Sequence, residues 1–242
     1  MKKLIAFTSL LLLAVYLYAQ PKIYDANAEA RAVSSFHAIQ VSNAFDVYLT
    51  QGDEEAVAIS AAEDKYKQNI ITEVKDGVLK VKYEHQGLNL RGNKKLKVYI
   101  SFKHIDEISL SGACDLYQMS SIKEDDLKIT LSGASDWNGN DDKGLGKLEV
   151  KNLKVNLSGA SDLKISGNAQ NLEMEVSGAS DFKAFGFSAD YCKAEASGAS
   201  SIKITVNKEL SAKASGASSV NYKGEGLIRE IKTSGASNVS KS

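Results

Sequence analysis

The chain has 242 residues, with 30 basic and 30 acidic side chains, three histidines, two cysteines and one proline. This length allows one large domain or two small ones. The balanced charge excludes the basic surface with which proteins bind nucleic acids or anionic membranes. Strand-forming residues are frequent and regularly placed, which excludes an intrinsically disordered chain.

Residues 1–19 are typical of a secretory signal peptide, with Lys2 and Lys3 before an apolar stretch and Ala19 at the cleavage end. The apolar stretch is short for a transmembrane helix, and no cysteine follows it to carry a lipid anchor. Removing the two lysines with the signal peptide leaves 28 basic and 30 acidic residues. We expect an exported protein, located in the periplasm, on the cell surface or outside the cell.

Residues 20–35 are polar and rich in alanine, and we expect them to form a leader. From residue 36 to residue 108 apolar and polar residues alternate with period two, which predicts strands. Asp76-Gly77 is the strongest short hairpin signal of the chain, and residues 62–69 are its one helical candidate. This segment is predicted to be the less regular β half of the protein.

The remaining residues, 109–242, are organised by the tetrapeptide Ser-Gly-Ala-Ser. Seven copies, the first ending in cysteine, begin at Ser111, Ser132, Ser158, Ser177, Ser197, Ser215 and Ser234. A large apolar residue follows two positions after each copy, at Leu116, Trp137, Leu163, Phe182, Ile202, Val220 and Val239. A period near 19 residues cannot bury its own apolar face, so successive repeats must stack and pair with each other. The pattern predicts an all-β protein, a right-handed β-helix or β-solenoid of about seven repeats.

The glycine of each motif is expected where a positive φ or a close backbone approach excludes a Cβ atom. These structural glycines are Gly112, Gly133, Gly159, Gly178, Gly198, Gly216 and Gly235. Inward residues occupy every second position before each motif, and the same alternation continues without a shift after it. Either the strand therefore runs straight through the motif, or the motif is a corner that preserves the alternation.

One repeat is longer than the others, and its extra residues within 137–146 are expected to form a protruding loop. Four side chains there have the spacing of calcium ligands: Asp136, Asn138, Asn140 and Asp142. The glycine position of such a loop holds Asp141, and the closing glutamate position holds Lys147. We therefore assign neither a metal nor a cofactor.

Aspartate follows the motif in four repeats, and stacking would place these side chains in one row that could bind a cation or a polysaccharide. The row consists of Asp115, Asp136, Asp162 and Asp181, continued by Ser201, Ser219 and Asn238. The simpler interpretation is a turn residue whose side chain accepts hydrogen bonds from backbone amides, as serine and asparagine also do. Lys164, Lys183 and Lys203 form a short basic row two positions further on.

Catalytic signatures are missing from the sequence. A serine nucleophile needs a base within reach and a third group to orient it, whereas His37, His85 and His104 all precede the regular repeats. The sequence also contains no phosphate-binding loop and no His or Cys spacing typical of a metal site. We predict that the protein is not an enzyme.

The two cysteines are predicted to be free thiols. Cys114 replaces the second serine of the first motif, and Cys192 occupies the position that Leu172 has one repeat earlier. Stacking would separate the two by about 19 Å, whereas a disulfide requires Cα atoms within about 7 Å.

Several segments together resemble a known family: Phe36-His-Ala-Ile-Gln-Val-Ser, Phe45-Asp-Val-Tyr-Leu-Thr-Gln-Gly, the strands at 77–81 and 96–100, and the repeated Ser-Gly-Ala-Ser-Asp-Leu. Over roughly residues 31–242 the chain resembles the putative auto-transporter adhesin family with the head GIN domain. Residues 101–104 depart from the pattern, since a proline is expected near that strand end. The resemblance implies a β-helical fold and an adhesin-like role, and it supplies no catalytic residues.

We therefore expect a non-enzymatic exported binding or scaffold protein, whose repeat faces contact a surface ligand, either a glycan or a protein. The first alternative is a structural polymer that assembles through its coil ends. The second is a polysaccharide-active β-helix enzyme, which would need clustered acids and bases that the sequence does not supply.

Overall fold

The computed structural model describes residues 25–84, 94–139 and 146–242. They form an all-β fold whose sheet is nearly closed and barrel-like. The strands are β1 (Glu29–Arg31), β2 (Ala38–Asn43), β3 (Asp46–Gln51), β4 (Ala56–Ser60), β5 (Ile70–Lys75), β6 (Val78–Tyr83), β7 (Lys97–Phe102), β8 (Glu107–Gly112), β9 (Asp115–Gln118), β10 (Ile122–Gly133), β11 (Asp136–Asn138), β12 (Lys147–Leu157), β13 (Asp162–Lys164), β14 (Ser166–Val176), β15 (Asp181–Ala196), β16 (Ser201–Gly216), β17 (Ser219–Lys223), β18 (Leu227–Gly235) and β19 (Asn238–Lys241). One helix, α1 (Asp64–Lys67), lies in the segment with the helical signal.

The hairpin signal at Asp76-Gly77 corresponds to a real turn. β5 and β6 pair antiparallel on either side of it. Asp76 has φ 54° and Gly77 has φ 75°. Both central residues thus have the positive φ that a two-residue type I′ hairpin turn requires.

Equivalent positions of successive repeats lie side by side in parallel register. Before the motif, one inward row runs through Leu110, Leu131, Leu157, Val176, Ala196, Ala214 and Thr233. After the motif, another runs through Leu116, Trp137, Leu163, Phe182, Ile202, Val220 and Val239. These rows form the core. In the first row the side chains become smaller towards the C-terminal end, from leucine through valine to alanine.

Each Ser-Gly-Ala-Ser motif is a bend between two strands, because strand pairing is interrupted within all seven copies. Gly159 shows why glycine is needed. Its φ is 81°, and a Cβ atom added to it would lie 2.3 Å from the carbonyl oxygen of Gly133 in the preceding repeat. The buried Ser161 hydroxyl donates a hydrogen bond to the Ser158 carbonyl at 3.0 Å and accepts one from the Ser135 N–H at 3.4 Å. The motif therefore combines close stacking with a hydroxyl that ties the bend together.

An additional copy of the bend, which the sequence pattern does not reveal, lies at Ser42-Asn43-Ala44-Phe45. Asn43 pairs with Gly112 and has φ 83°, a left-handed value that asparagine adopts more readily than most residues. Its side-chain oxygen accepts the backbone N–H of Tyr83 at 2.9 Å. On the side opposite Gly112, the neighbour of Asn43 is Tyr83 of β6 and not another motif glycine. The side chain of Asn43 therefore fits there.

The spatial order of the first strands differs from their order in the sequence. β2 lies between β6 and β8, and β3 lies between β7 and β9. In space, the layer of β2 and β3 therefore lies in the middle. The layer of β6 and β7 is on one side of it, and the layer of β8 and β9, which comes later in the chain, is on the other side. Period-two alternation identifies inward residues but carries no information about which strand lies beside which.

The two ends of the sheet are built differently. At the N-terminal end β4 pairs antiparallel with β7, and β1 pairs antiparallel with β4. At the C-terminal end β18 and β19 pair with β16 and β17 on one side. Leu227, Ile228 and Ile231 of β18 are 60%, 42% and 41% exposed.

Both cysteines are free and buried. Cys192 pairs with Leu172 and Leu210 in an inward row, and burial raises the pKa of its thiol to about 12. The backbone N–H of Cys114 donates to the Ser135 hydroxyl at 3.3 Å. Cys114 therefore lies in the row of buried motif serines.

Candidate ligand-binding faces

The acidic row expected from the sequence exists. Asp115, Asp136, Asp162 and Asp181 are successive partners in parallel register, followed by Ser201, Ser219 and Asn238. Asp46 extends the row by one position, beside Asp115. Asp46 was missed because its motif reads Ser-Asn-Ala-Phe, although Asp46-Val47 has the same form as the Asp-Leu pair that follows other copies.

The row is electrostatically uneven. The Lys183 ammonium lies 2.5 Å from Asp162 Oδ2 and 3.2 Å from Asp181 Oδ2. Burial and, secondly, the charge of Asp46 raise the pKa of Asp115. Burial also raises the pKa of Asp136, whose Oδ1 accepts the backbone N–H of Asp162 at 3.0 Å. At least one carboxylate thus performs the turn role, and a lysine balances two others.

The row two positions further on begins with stacked tyrosines. The Tyr48 ring lies 4.9 Å from that of Tyr99 and 5.2 Å from that of Tyr117, at interplanar angles of 19° and 20°. The Tyr99 hydroxyl donates to Asp25 Oδ2 at 2.7 Å, and burial together with this hydrogen bond raises the pKa of Tyr99. The rings cover one another's faces, which leaves little flat surface for a ligand. The row continues through Asn138, Lys164, Lys183 and Lys203.

Of the side chains with calcium-ligand spacing, Asp136 and Asn138 lie on β11, whereas Asn140 and Asp142 fall outside the described residues. Within residues 25–84, 94–139 and 146–242, no group of three or more His, Cys, Asp or Glu side chains is arranged to hold a metal ion. In the same ranges, no helix is long and apolar enough to span a membrane.

A groove of about 610 Å³, which the sequence did not indicate, runs across β10, β12, β14, β15 and β16. Part of its lining is one register row: Asp126, Asn152, Asn171, Tyr191 and Glu209. Sequence reasoning missed it because the residues at this row are chemically different from repeat to repeat. The two asparagines at equivalent positions, Asn152 and Asn171, were the available signal.

The groove row is oriented by its own hydrogen bonds. The Asn152 side-chain amide donates to Asp126 Oδ1 at 2.7 Å, and the Asn171 amide donates to Asn152 Oδ1 at 2.7 Å. Tyr191 follows them in register and is 40% exposed, with the Lys208 ammonium 5.5 Å from its ring centre. Neighbouring strands are about 4.8 Å apart, so the groove presents amides and an aromatic ring at regular intervals.

Charged groups around the groove are paired with each other. Glu173 lies 2.7 Å from the Lys193 ammonium and 3.9 Å from that of Lys154. Glu209 lies 2.6 Å from the Arg229 guanidinium. The hydrogen bond from Lys193 lowers the pKa of Glu173, and that from Arg229 lowers the pKa of Glu209. The groove thus combines paired charges with an apolar part of its lining, which includes Leu127, Leu153 and Leu172.

Parallel strands that display rows of exposed polar side chains define an all-β protein. A family model described as "Putative auto-transporter adhesin, head GIN domain" matches residues 35–226. The chain belongs to this family.

Three solved structures share its fold. A putative adhesin from Bacteroides fragilis NCTC 9343 is 23% identical, with a TM-score of 0.79 over 89% of this chain and 96% of that one. A putative adhesin from Parabacteroides merdae ATCC 43184 is 20% identical, with a TM-score of 0.63 over 89% and 95%. A putative lipid binding protein from Parabacteroides distasonis ATCC 8503 is 18% identical, with a TM-score of 0.68 over 90% and 98%. Among proteins of curated function, none matches this chain in sequence.

Proposed function

We propose that the nearly closed sheet is a right-handed β-helix built from the Ser-Gly-Ala-Ser repeats. The parallel register of β10, β12 and β14, with a bend at each motif, supports this architecture. Crossover connections between parallel strands are right-handed in about 98% of cases, which supports the handedness. Such a scaffold displays outward residues as straight rows.

On this scaffold we propose a non-enzymatic, exported binding protein of the adhesin type, which holds an extended surface ligand in the groove. Family membership supports the adhesin role. The observation that carries the groove assignment is the hydrogen-bonded row of Asp126, Asn152 and Asn171, which leads to the exposed ring of Tyr191.

The chemistry of the groove favours an uncharged polymer such as a glycan chain. Asparagine amides both donate and accept hydrogen bonds, as sugar hydroxyls do. An exposed aromatic ring offers an apolar surface next to a polar edge. Because the carboxylates of Glu173 and Glu209 already have cationic partners, the groove does not require a charged ligand.

Two carboxylates of the groove, those of Glu173 and Glu209, are unsuited to act as the acid in glycoside hydrolysis. That reaction needs a carboxylic acid whose pKa is raised, so that it can protonate the leaving oxygen. The pKa values of Glu173 and Glu209 are lowered instead. The raised pKa values of Asp115 and Asp136 belong to the acidic row, whose residues are not part of the groove lining. This contrast supports a binding function.

A glycan array and a cell-surface binding assay with residues 20–242 would test the proposal. We expect Tyr191→Ala and Asn171→Ala each to weaken binding about fivefold, because each removes a contact worth roughly 1 kcal/mol. Asn168→Ala is the matched control, since Asn168 is also exposed on β14 but is not part of the groove lining.

Binding that survives both groove substitutions but is lost in Asp115→Asn would move the site to the acidic row. Binding to cells that is abolished by protease treatment of the cells and is absent from the array would identify a protein ligand instead. Hydrolysis of a bound glycan, abolished by Glu173→Gln, would contradict the non-enzymatic role.

A further inference from the structure

The C-terminal end of the described sheet is an edge. β18 pairs with β16 on one side, and an edge strand presents unpaired backbone groups to another chain. Three of the five exposed large apolar side chains of the described residues are on this strand: Leu227, Ile228 and Ile231. Ile231 continues the inward row of Ala212, so the edge also exposes the end of the core.

We propose that β18 pairs antiparallel with β18 of a second copy of this chain, so that two molecules join end to end around a twofold axis. A twofold contact requires a strand that is complementary to itself. β18 has the sequence Leu-Ile-Arg-Glu-Ile-Lys-Thr-Ser-Gly. Antiparallel pairing centred on Ile231 places Glu230 directly opposite Lys232 of the second copy, and Lys232 opposite Glu230.

The register within the chain supports this pairing. Glu230 and Lys232 occupy the rows of Ser211 and Lys213, on either side of Ile231. Alternation along a strand therefore places Glu230 and Lys232 on one face and Ile231 on the opposite face, towards the core. The two ammonium and two carboxylate groups would form one cluster across the junction, because Glu230 and Lys232 already lie 2.5 Å apart within the chain. Oppositely charged residues directly across antiparallel strands attract, and like charges repel.

The opposite end of the sheet is not a suitable partner for this edge. It ends in the antiparallel strands β1, paired with β4, and β5, paired with β6, and neither strand carries an exposed large apolar side chain. The exposed apolar residues of β18 have no counterpart there. Pairing between the β18 edges of two molecules leaves neither of these edges free, so assembly stops at two copies. A filament would instead need two different ends that are complementary to each other.

Sedimentation equilibrium of residues 20–242 would test the dimer, with circular dichroism to verify folding of each variant. We expect a mass twice that of the chain for the parent. Glu230→Lys and Lys232→Glu should each weaken dimerisation at least about tenfold, because each places like charges opposite one another. The double variant E230K/K232E should restore the parental dimer.

An equimolar mixture of the two single variants should form a heterodimer, because one strand then has lysine at both positions and the other has glutamate. Lys203→Glu is the control: this exposed residue lies on β16, away from the edge, and should leave the dimer unchanged. A parent that remains monomeric at high micromolar concentration would overturn the proposal. So would growth beyond two copies, or a dimer with equal affinity in E230K. The outcome does not depend on the groove proposal.

Discussion

Replacement of the motif glycine by alanine tests the stacking of the repeats directly. Gly159 has φ 81°, and its added Cβ atom would lie 2.3 Å from the Gly133 carbonyl oxygen. That same oxygen accepts the backbone N–H of Ala160 at 2.7 Å. Alanine therefore introduces strain in the left-handed region and also displaces a hydrogen-bonded backbone group.

These two effects give an expected loss of stability. A left-handed conformation costs a non-glycine residue roughly 1–2 kcal/mol, and loss of one backbone hydrogen bond costs about 1 kcal/mol. We expect Gly159→Ala to lower the free energy of unfolding by about 2–3 kcal/mol. Because folded domains are stable by roughly 5–15 kcal/mol, this is a large fraction of the total.

The assay is denaturant unfolding followed by the fluorescence of Trp137, the one tryptophan of the chain. Trp137 is fully buried and pairs with Leu163, in the repeat that follows the Gly159 bend. The matched control is Gly235→Ala, with φ 73° and a Cβ contact of 2.8 Å at the exposed last repeat. We expect this control to cost no more than about 1–2 kcal/mol, chiefly from the left-handed conformation. Equal losses in the two variants would refute the argument that close approach between repeats is what requires glycine.

Other substitutions test the remaining parts of the motif and its neighbours. Ser161→Ala should lose about 1–2 kcal/mol of unfolding free energy, because the buried Ser161 hydroxyl makes two hydrogen bonds. Ser161→Cys should lose less, because Cys114 occupies the same row. A larger loss for cysteine than for alanine in denaturant unfolding would contradict this. The raised pKa of Asp115, due to burial and then to Asp46, means that its stabilising contribution is present below its unfolded pKa of about 3.9 and is lost as the pH rises through its folded pKa. The stability of Asp115→Asn relative to the parent should therefore be slightly higher at neutral pH than in acid. Urea titrations in which this relative stability is lower at neutral pH than in acid would oppose the burial argument. Because burial raises the pKa of Cys192 to about 12, its thiol should react with a disulfide reagent only after unfolding. Stoichiometric labelling of Cys192 in the native protein at neutral pH would show that the core is open at this residue.

Much of the local structure follows from residue pattern. The repeat of Leu157, Val176 and Ala196 before successive motifs identified an inward row, because a strand alternates its faces and copies of one segment pair best with each other. The Asp76-Gly77 turn followed from the backbone angles that these two residues adopt. The acidic row was predictable for the same reason, except at Asp46, where the motif glycine is replaced by Asn43.

Other features depend on contacts between distant segments, which no local pattern encodes. The position of β2 between β6 and β8 is determined by pairing across the whole N-terminal half. The groove is formed by Asp126, Asn152, Asn171 and Tyr191, whose outward side chains are not constrained by burial and therefore vary. The sequence by itself determined the strands, the positions of the motif glycines and the inward rows, because steric and hydrophobic constraints act there within each repeat. Only the tertiary structure decided that each motif is a bend rather than a straight strand, together with the order of the first layers, the groove and the exposed edge at β18, because these depend on which surfaces meet and which remain without a neighbour.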